Sequence, residues 1–410
     1  MSDTLDAADT TAKAATAKDA APAGAAMRAL ERRQVAHLAA GGTTDWGSAP
    51  MLNSPRDYTD PVRFEAERRE LFGKVPLLAG LSCEVANPGD VMLFDSAGPG
   101  ILIVRARDGA LNAFLNMCTH RAARLVADCS HRKLMVCPFH GWSFDLDGKV
   151  VAIPGDASFE GIDRATRNLV RVPVGEWGGM VFVKAHAGEE TIDVESWLGG
   201  MGPELLHLDL AGAKLIKHSR VDVEANWKYA LDTYGEGYHF AALHPTTFGI
   251  STISNVILYD HFAPHYRVNF TNSGLRDLVG VEESRWPSAP YGGSHLVFPN
   301  SIVYGAPMAD GGRMIGMYRL YPGDVAGKAF SIMSTYRCAD APAQTPDSAF
   351  VEAHDFIQQV VSTEDYSVSK EGQRNLSHAP EGFKIVYGRN EIALQNVHRN
   401  IAALIGMPLE

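Results

Sequence analysis

Two short segments of the chain each carry one cysteine and one histidine: Cys118-Thr119-His120 and Cys137-Pro138-Phe139-His140. Thiolates and imidazoles bind metals, so these segments predict one shared metal centre. Structural zinc sites usually pair cysteine with cysteine and histidine with histidine. In one type of [2Fe–2S] cluster, two thiolates bind one iron and two imidazoles bind the other. Because each segment here is mixed, the pattern favours that cluster, with structural zinc as the alternative.

A second pair of histidines, His239 and His244, follows a stretch with helical spacing. Asp232, Glu236 and His239 would fall on one stripe of a helix. Pro245 disfavours the helical conformation at His244, so we expect the helix to end before that residue. The chain could then turn His244 back towards His239. The spacing predicts a two-histidine metal site; the alternative is two polar residues on a half-buried helix.

The sequence around these residues predicts two kinds of architecture. From about residue 76 to 185, Asp108-Gly109 and Asp147-Gly148 each separate two short apolar runs, which is a strong hairpin signal. Later segments predict helices at 225–243, 350–373 and 390–406, and strands at 254–270, 296–306, 314–321 and 329–336. The fold class is therefore α+β, with an N-terminal all-β domain followed by a domain in which helices flank an antiparallel sheet.

The chain is divided on this basis into four segments. Residues 1–22 carry almost no large apolar side chains, which predicts disorder, while residues 24–39 could form a short helix. Asp60-Pro61 could open a further helix. The segments are 1–45 (disordered, low complexity), 46–75 (helical lead-in), 76–190 (all-β, with the two cysteine–histidine loops) and 191–410 (with the predicted two-histidine metal site).

The bulk properties exclude several classes of protein. The 410 residues carry a net charge of −11, so no basic surface for nucleic acid or anionic lipid is indicated. The sequence contains neither an apolar run long enough to span a membrane nor the pattern of a secretory signal. Five cysteines in such a chain indicate a reducing compartment. We expect a cytoplasmic location.

Several segments resemble the Rieske-type non-haem iron oxygenases. CTHRAARLV and CPFHGWSFDLDG are similar to the C-x-H-R-G and C-P-x-H-G-W segments of that family. Asn226-Trp227-Lys228, followed by E-x2-H-x4-H, resembles its catalytic signature. The resemblance spans about residues 60–405 and is to the oxygenase (α) component of the aromatic-ring-hydroxylating type. One departure is Ala122, where the family usually has glycine; alanine would be strained if the turn needs a positive φ.

The resemblance implies a role for each candidate residue. The cluster would be held by Cys118, His120, Cys137 and His140, and a mononuclear Fe(II) by His239, His244 and Asp365, with Glu364 competing with Asp365. Glu236 would bridge, through hydrogen bonds, an iron ligand and a cluster histidine of the neighbouring subunit. Most relatives have aspartate at this position, whereas members that act on quaternary ammonium compounds often have glutamate.

The implied function is that of a terminal oxygenase component. It would use O2 and electrons from a separate reductase or ferredoxin, because no flavin or nicotinamide motif is present. We expect it to hydroxylate an aromatic or other hydrophobic small molecule; the alternative is oxidative N- or O-demethylation, including that of a quaternary ammonium substrate. The resemblance implies a homotrimer, with or without a small β subunit.

Other residues have either a possible role in substrate binding or no predicted role in catalysis. Tyr229, Tyr234, Phe240 and Phe248 could line a substrate pocket, either for a flat ring or as a cage for a quaternary ammonium group. His261 and His265 are interpreted as ordinary strand residues, and so are His131 and Cys129 between the two cluster loops.

Overall fold

The structure is a computed structural model that describes residues 23–308 and 312–410. The disorder expected for residues 1–22 lies outside the described residues. The first four elements of the described residues are α1 (Ala23–Ala39), β1 (Met51–Asn53), α2 (Arg56–Thr59) and α3 (Pro61–Glu67). As expected from Asp60-Pro61, the Asp60 side chain caps α3 by accepting the backbone N–H of Val62 at 2.7 Å.

Helix α1 confirms the short helix predicted at 24–39 and corrects the description of the whole segment 1–45 as disordered. Leu30 and Val35 are buried, and Arg33 pairs with Asp260 at 2.8 Å. The expected disorder followed from the low hydrophobicity of the first residues. The helix is instead stabilised by contacts with a strand that is distant in the sequence.

The β domain contains the elements predicted between residues 76 and 190. The Asp108-Gly109 turn joins two paired strands, and the Asp147-Gly148 turn does the same; both glycines adopt positive φ. The strands are β2 (Leu77–Leu81), β3 (Asp90–Phe94), β4 (Ile101–Arg105), β5 (Leu111–Leu115), β6 (Ser130–His131), β7 (Met135–Val136), β8 (Ser143–Phe144), β9 (Val150–Ala152), β10 (Val174–Trp177) and β11 (Met180–Val183). They form three small sheets, ordered β5-β4-β3-β6, β7-β8-β9 and β10-β11-β2.

The C-terminal domain is built on one antiparallel sheet, as predicted. Its seven strands have the order β12-β18-β17-β16-β15-β14-β13, and helices pack against this sheet. The elements are α4 (Val194–Leu198), α5 (Met201–Leu206), β12 (Lys214–Val223), α6 (Trp227–Asp232), α7 (Phe240–Leu243), β13 (Thr252–Phe262), β14 (His265–Asn272), β15 (Gly293–Val297), β16 (Ser301–Pro307), β17 (Arg313–Pro322), β18 (Ala329–Arg337), α8 (Asp347–Val360), α9 (Tyr366–Leu376), β19 (Ile385–Tyr387) and α10 (Ile392–Ile405).

The single helix predicted at 225–243 is wrong. Helix α6 ends at Asp232, the chain turns irregularly to His239, and only then does α7 begin. Gly235 and Gly237 weaken helix formation here. The Glu236 carboxylate also accepts the backbone N–H groups of Tyr238 and His239. The proposed stripe of Asp232, Glu236 and His239 on one helix face therefore does not exist.

The helix predicted at 350–373 is interrupted as well. Between α8 and α9 the residues Val361–Asp365 form a π-helical turn. Such turns are rare and occur often at functional sites, because the extra residue redirects the side chains that follow. This turn carries Glu364 and Asp365, the two candidate carboxylates.

One apolar core runs through both domains. It includes Phe94 and Ile103 of the β domain together with Trp227 and Tyr321 of the C-terminal domain. The rings of Phe94 and Tyr321 meet edge to face at 5.9 Å. Because the core crosses the division, the boundary placed at residue 190 stays a prediction from the sequence.

Within the residues that the structure describes, no helix combines the length and apolar character needed to cross a membrane.

Candidate functional site

Three buried or half-buried side chains of the C-terminal domain converge on one point. The Nε2 atoms of His239 and His244 lie 3.6 and 3.4 Å from Oδ1 of Asp365. The three potential ligand atoms all lie within 4.8 Å of one another. The structure thus brings together the two histidines and the carboxylate named from the sequence.

The local backbone explains this convergence. His239 and His244 stand at the two ends of the four-residue helix α7. His244 leaves the helical region, with φ −112° and ψ 37°, directly before Pro245. Asp365 closes the π-helical turn and is 4% exposed. The helix end at Pro245 was predictable, whereas the π-helical turn that aims Asp365 had no signal in the sequence.

Each histidine is held from behind by a glutamate. Glu236 contacts Nδ1 of His239, and Oε2 of Glu364 lies 2.6 Å from Nδ1 of His244. Thr247 donates its hydroxyl to the same Glu364 oxygen at 3.0 Å. A carboxylate at Nδ1 fixes the tautomer that leaves the Nε2 lone pair free for a metal. The structure therefore places Glu364 behind His244, outside the converging set to which Asp365 belongs.

The electrostatics of the site follow from these carboxylates. Burial lowers the pKa of His244, but Asp365 and Glu364 raise it by more, so the pKa lies above its ordinary value. A divalent cation bound at this point would disfavour protonation of His244 and offset the negative charge of Asp365.

The arrangement fits a mononuclear iron. His239 Nε2 is buried and has no hydrogen-bond partner in the structure. An unpaired buried polar atom is costly, and a metal ion would satisfy it. Two imidazoles and one carboxylate on one face, with open positions opposite, are the ligand set of non-haem Fe(II) oxygenases.

The two cluster loops of the β domain share one hydrogen-bonding pattern. In the first loop, Cys118 N–H donates to Ala123 O at 2.8 Å, and Ala122 N–H donates to Cys118 O at 2.9 Å. In the second, Cys137 N–H donates to Trp142 O at 2.8 Å, and Gly141 N–H donates to Cys137 O at 3.0 Å. Matching loops of this kind present both cysteines and both histidines to one centre.

The four side chains of these loops fit a [2Fe–2S] cluster. Cys118 and Cys137 are buried and not joined in a disulfide; burial and the adjacent Cys137 thiol raise the pKa of Cys118. The rings of His120 and His140 lie 4.7 Å apart, and His120 Nδ1 is buried without a partner. Nε2 of the exposed His140 contacts the Arg121 guanidinium at 2.8 Å, which leaves Nδ1 for the cluster. Arg121 was not singled out from the sequence.

Ala122 adopts φ 58°, so the strain anticipated from the sequence is present. The equivalent position of the second loop is Gly141, with φ 74°. Alanine in the left-handed region costs about 1–2 kcal/mol. We expect Ala122→Gly to stabilise the cluster-loaded protein by about 1 kcal/mol, measured as a higher denaturant midpoint with visible absorbance reporting the intact cluster.

The reverse change in the second loop is the matched control. Gly141→Ala would introduce the same strain, and its Cβ would approach Pro154 Cγ at 3.2 Å. It should lower the midpoint. Equal midpoints for wild type and Ala122→Gly would contradict the assigned strain.

The aromatic residues named from the sequence separate into two groups. Phe240 and Phe248 lie against the metal histidines, with ring centroids 4.7 Å from His239 and 5.2 Å from His244, respectively. The Tyr234 hydroxyl meets that of Tyr366, the neighbour of Asp365, at 2.8 Å. Tyr229 instead packs on Tyr58 at 5.3 Å.

A tyrosine cluster extends the wall beside the iron site. The ring of Tyr318 lies 4.7 Å from that of Tyr234 and 5.5 Å from that of Tyr304. Tyr234 and Tyr304 are half-buried, and the Tyr304 hydroxyl donates to that of Tyr318 at 3.5 Å. The sequence offered no sign that strands β16 and β17 contribute to this wall.

The remaining histidine candidates are structural, as expected. His265 is fully buried; its Nε2 lies 2.8 Å from Trp197 O, and its Nδ1 accepts the Phe298 N–H at 3.0 Å. Burial lowers the pKa of His265 to about 4. His261 stacks on Tyr259, and His131 contacts Asp90 at 3.0 Å away from the cluster ligands.

Comparison with protein families and curated proteins gives the following matches. Residues 76–170 match the Rieske [2Fe–2S] domain, and residues 210–407 match the catalytic domain of ring-hydroxylating alpha subunits. The carnitine monooxygenase oxygenase subunit of Escherichia coli K12 is 32% identical over 209 residues, 50% of this chain and 54% of that protein. The glycine betaine monooxygenase oxygenase subunit of Chromohalobacter salexigens is 29% identical over 56% of this chain and 49% of that protein.

Similarity also extends to a dioxygenase and to solved structures. The alpha subunit of chlorobenzene dioxygenase from Cupriavidus sp. PS12 is 30% identical over 46% of this chain and 43% of its own length. A quaternary ammonium Rieske monooxygenase solved with L-carnitine has a TM-score of 0.71 at 21% identity, covering 90% of this chain and 97% of that one. Naphthalene 1,2-dioxygenase with indole has a TM-score of 0.65 at 17% identity, covering 87% and 92%. The matched segments span about half the length of the curated relatives.

Proposed function

The chain belongs to the Rieske-type non-haem iron oxygenases, and from that premise we propose that it is a terminal oxygenase component that oxidises a small molecule with O2 and electrons from a separate reductase or ferredoxin. The observation that carries the proposal is the convergence of His239 Nε2 and His244 Nε2 on Asp365 Oδ1, at 3.6 and 3.4 Å. The mixed cysteine–histidine loops of the β domain supply the second centre that this chemistry requires.

The residues of the chain have distinct roles in this proposal. His239, His244 and Asp365 hold Fe(II), and Cys118, His120, Cys137 and His140 hold the cluster. When bound, the cluster supplies single electrons, and Fe(II) supplies open positions for dioxygen. Glu236 and Glu364 orient the iron histidines through Nδ1, and Phe240 and Phe248 keep water from the site.

We further propose that Glu236 links two subunits of a homotrimer. The Nδ1 contact with His239 occupies Oε1, and Oε2 accepts the backbone N–H groups of Tyr238 and His239. His140 is exposed, and its Nε2 lies 2.8 Å from the Arg121 guanidinium, a contact that the proposed bridge would replace. A carboxylate can accept from two imidazoles, so a neighbouring His140 could complete the bridge. A head-to-tail ring allows every subunit to make this contact.

The preferred substrate in this proposal is a quaternary ammonium compound. The curated relatives include carnitine and glycine betaine monooxygenases, and the bridging acid is glutamate. The cluster of Tyr234, Tyr304 and Tyr318 supplies aromatic rings of the kind that attract such cations. Hydroxylation of a carbon bonded to the cationic nitrogen lets the C–N bond break, which releases an aldehyde and a tertiary amine.

An aromatic substrate, the first expectation from the sequence, is the second candidate. It is favoured by the similarity to the chlorobenzene dioxygenase alpha subunit and by the apolar rings of Phe240 and Phe248 beside the iron ligands. Its product would be a cis-diol or a phenol.

The test begins with metal content and ends with products. Purified protein should contain about three irons and about two sulfides per chain and give the low-average-g signal of a Rieske cluster after reduction. Turnover with a surrogate reductase should then release aldehyde from glycine betaine, choline or carnitine. Formation of a diol from chlorobenzene or naphthalene, without aldehyde from these quaternary ammonium compounds, would favour the aromatic substrate. Zinc without sulfide would overturn the oxygenase itself.

A further inference from the structure

A histidine outside the iron site is buried between two carboxylates. His398 of α10 is fully buried; its Nδ1 lies 2.7 Å from Oδ2 of Asp57, and its Nε2 lies 3.0 Å from Oδ1 of Asp232. These two contacts favour a proton on each ring nitrogen, because ionised carboxylates only accept hydrogen bonds. His398 is therefore an imidazolium in the core of the protein.

The surroundings balance this buried charge. The three cations His398, Arg63 and Lys228 face the three carboxylates Asp57, Asp232 and Glu67. Burial lowers the pKa of His398, but the carboxylates of Asp232 and Asp57 outweigh it and raise the pKa to about 9. The charged and titratable groups that surround His398 and Asp57 come from every packed element: Asp57 and Tyr58 of α2, Arg63 and Glu67 of α3, Lys228 and Asp232 of α6, and Tyr387 of β19.

The network reaches the iron site through the chain itself. Asp232 is the last residue of α6, and the chain then turns irregularly through residues 233–238 before it presents Glu236 and His239. Within this segment the Glu236 carboxylate accepts the backbone N–H groups of Tyr238 and His239. At its start the segment depends on Asp232, which His398 contacts at 3.0 Å. Tyr58 also donates its hydroxyl to Asp232, at 2.5 Å, from the same side as His398.

We propose that His398 is a positioning residue, which fixes Asp232 and thereby the path of residues 233–239 that presents Glu236 and the iron ligand His239. This inference rests on the proposed iron site. Ligand orientation depends on such outer contacts, and their loss typically weakens metal binding by about 10–100-fold.

The pH dependence of stability has a definite sign. The pKa of His398 is raised in the folded protein. The ion pairs of His398 with Asp57 and Asp232 therefore stabilise the fold fully below the unfolded pKa of about 6.5. That contribution is lost as the pH rises towards and through about 9. The melting temperature of wild type should fall over this window more than that of His398→Gln.

The decisive test is Fe(II) affinity, measured anaerobically on the full chain with its cluster intact and its mononuclear iron removed by a chelator. His398→Gln should weaken Fe(II) binding by about tenfold. Asp57→Asn is the matched control, because it removes a carboxylate from the far side of His398 and leaves the Nε2–Asp232 hydrogen bond. It should lower the melting temperature yet bind Fe(II) within about threefold of wild type.

Two outcomes would overturn the proposal: wild-type Fe(II) affinity in His398→Gln, or an equal loss of affinity in Asp57→Asn. If His398→Gln does not fold, as judged by its cluster spectrum, Asp232→Glu replaces it. This variant keeps the charge but displaces the carboxylate by one methylene, and wild-type affinity in it would also refute the proposal. A wild-type protein that takes up no mononuclear iron beyond its cluster would instead refute the iron site itself.

Discussion

Replacing Glu236 by glutamine is expected to slow substrate-coupled electron transfer by about 100-fold and to leave the cluster and the mononuclear iron in place. Glutamine has a single acceptor oxygen and no charge, so it cannot accept strong hydrogen bonds from two imidazoles. The measurement is the rate at which O2 and substrate reoxidise the prereduced cluster, followed by visible absorbance.

Glu391→Gln is the matched control for this change. Glu391 is a half-buried glutamate whose carboxylate accepts the Gly388 N–H, and burial and the nearby Glu236 and Asp232 carboxylates raise its pKa. It makes no hydrogen bond to His239 among those that the structure describes. The control should reoxidise its cluster at nearly the wild-type rate. A wild-type rate in Glu236→Gln would remove the bridge from the mechanism, and loss of iron would reduce Glu236 to a support for His239.

The second large effect is expected from Asp365→Ala, which should abolish mononuclear iron binding and all product formation while the cluster spectrum stays unchanged. Asp365 supplies the only carboxylate oxygen within the converging set of the described residues. Two neutral imidazoles alone hold Fe(II) poorly, because nothing then offsets the charge of the cation. Iron content by elemental analysis, beside the cluster absorbance, gives the result.

Glu364→Ala separates the two neighbouring carboxylates. Glu364 contacts Nδ1 of His244 and the Thr247 hydroxyl, so its loss should weaken iron binding by about tenfold without abolishing it. Full iron content and activity in Asp365→Ala, with loss of iron in Glu364→Ala, would exchange the roles of these residues.

The features that could be predicted from the sequence depend on local chemistry. The Asp108-Gly109 and Asp147-Gly148 turns need only a positive φ next to a strand, which neighbouring residues determine. The ligand loops are equally local: each spans a few residues, and the strain at Ala122 follows from one missing glycine. The end of a helix before Pro245 is likewise a property of two adjacent residues.

The features that could not be predicted depend on distant contacts. A continuous helix over 225–243 matched the apolar spacing, but the Glu236 side chain takes up backbone N–H groups that a helix would have used. The π-helical turn at Val361–Asp365 has no side-chain signature of its own. This turn places Asp365 next to histidines that are more than a hundred residues away in the sequence. The contact of Glu364 with His244 also depends on this turn and joins residues that are distant in the sequence.

The shared core has a consequence for the modularity of the chain. Phe94 and Ile103 pack in the same core as Trp227 and Tyr321, and Arg319 of β17 donates to the Ala79 carbonyl in β2. The β domain and the C-terminal domain therefore form one cooperative folding unit. Recombination with another member of the family at residue 190 would separate side chains that pack together in this core, so the two segments cannot be exchanged independently.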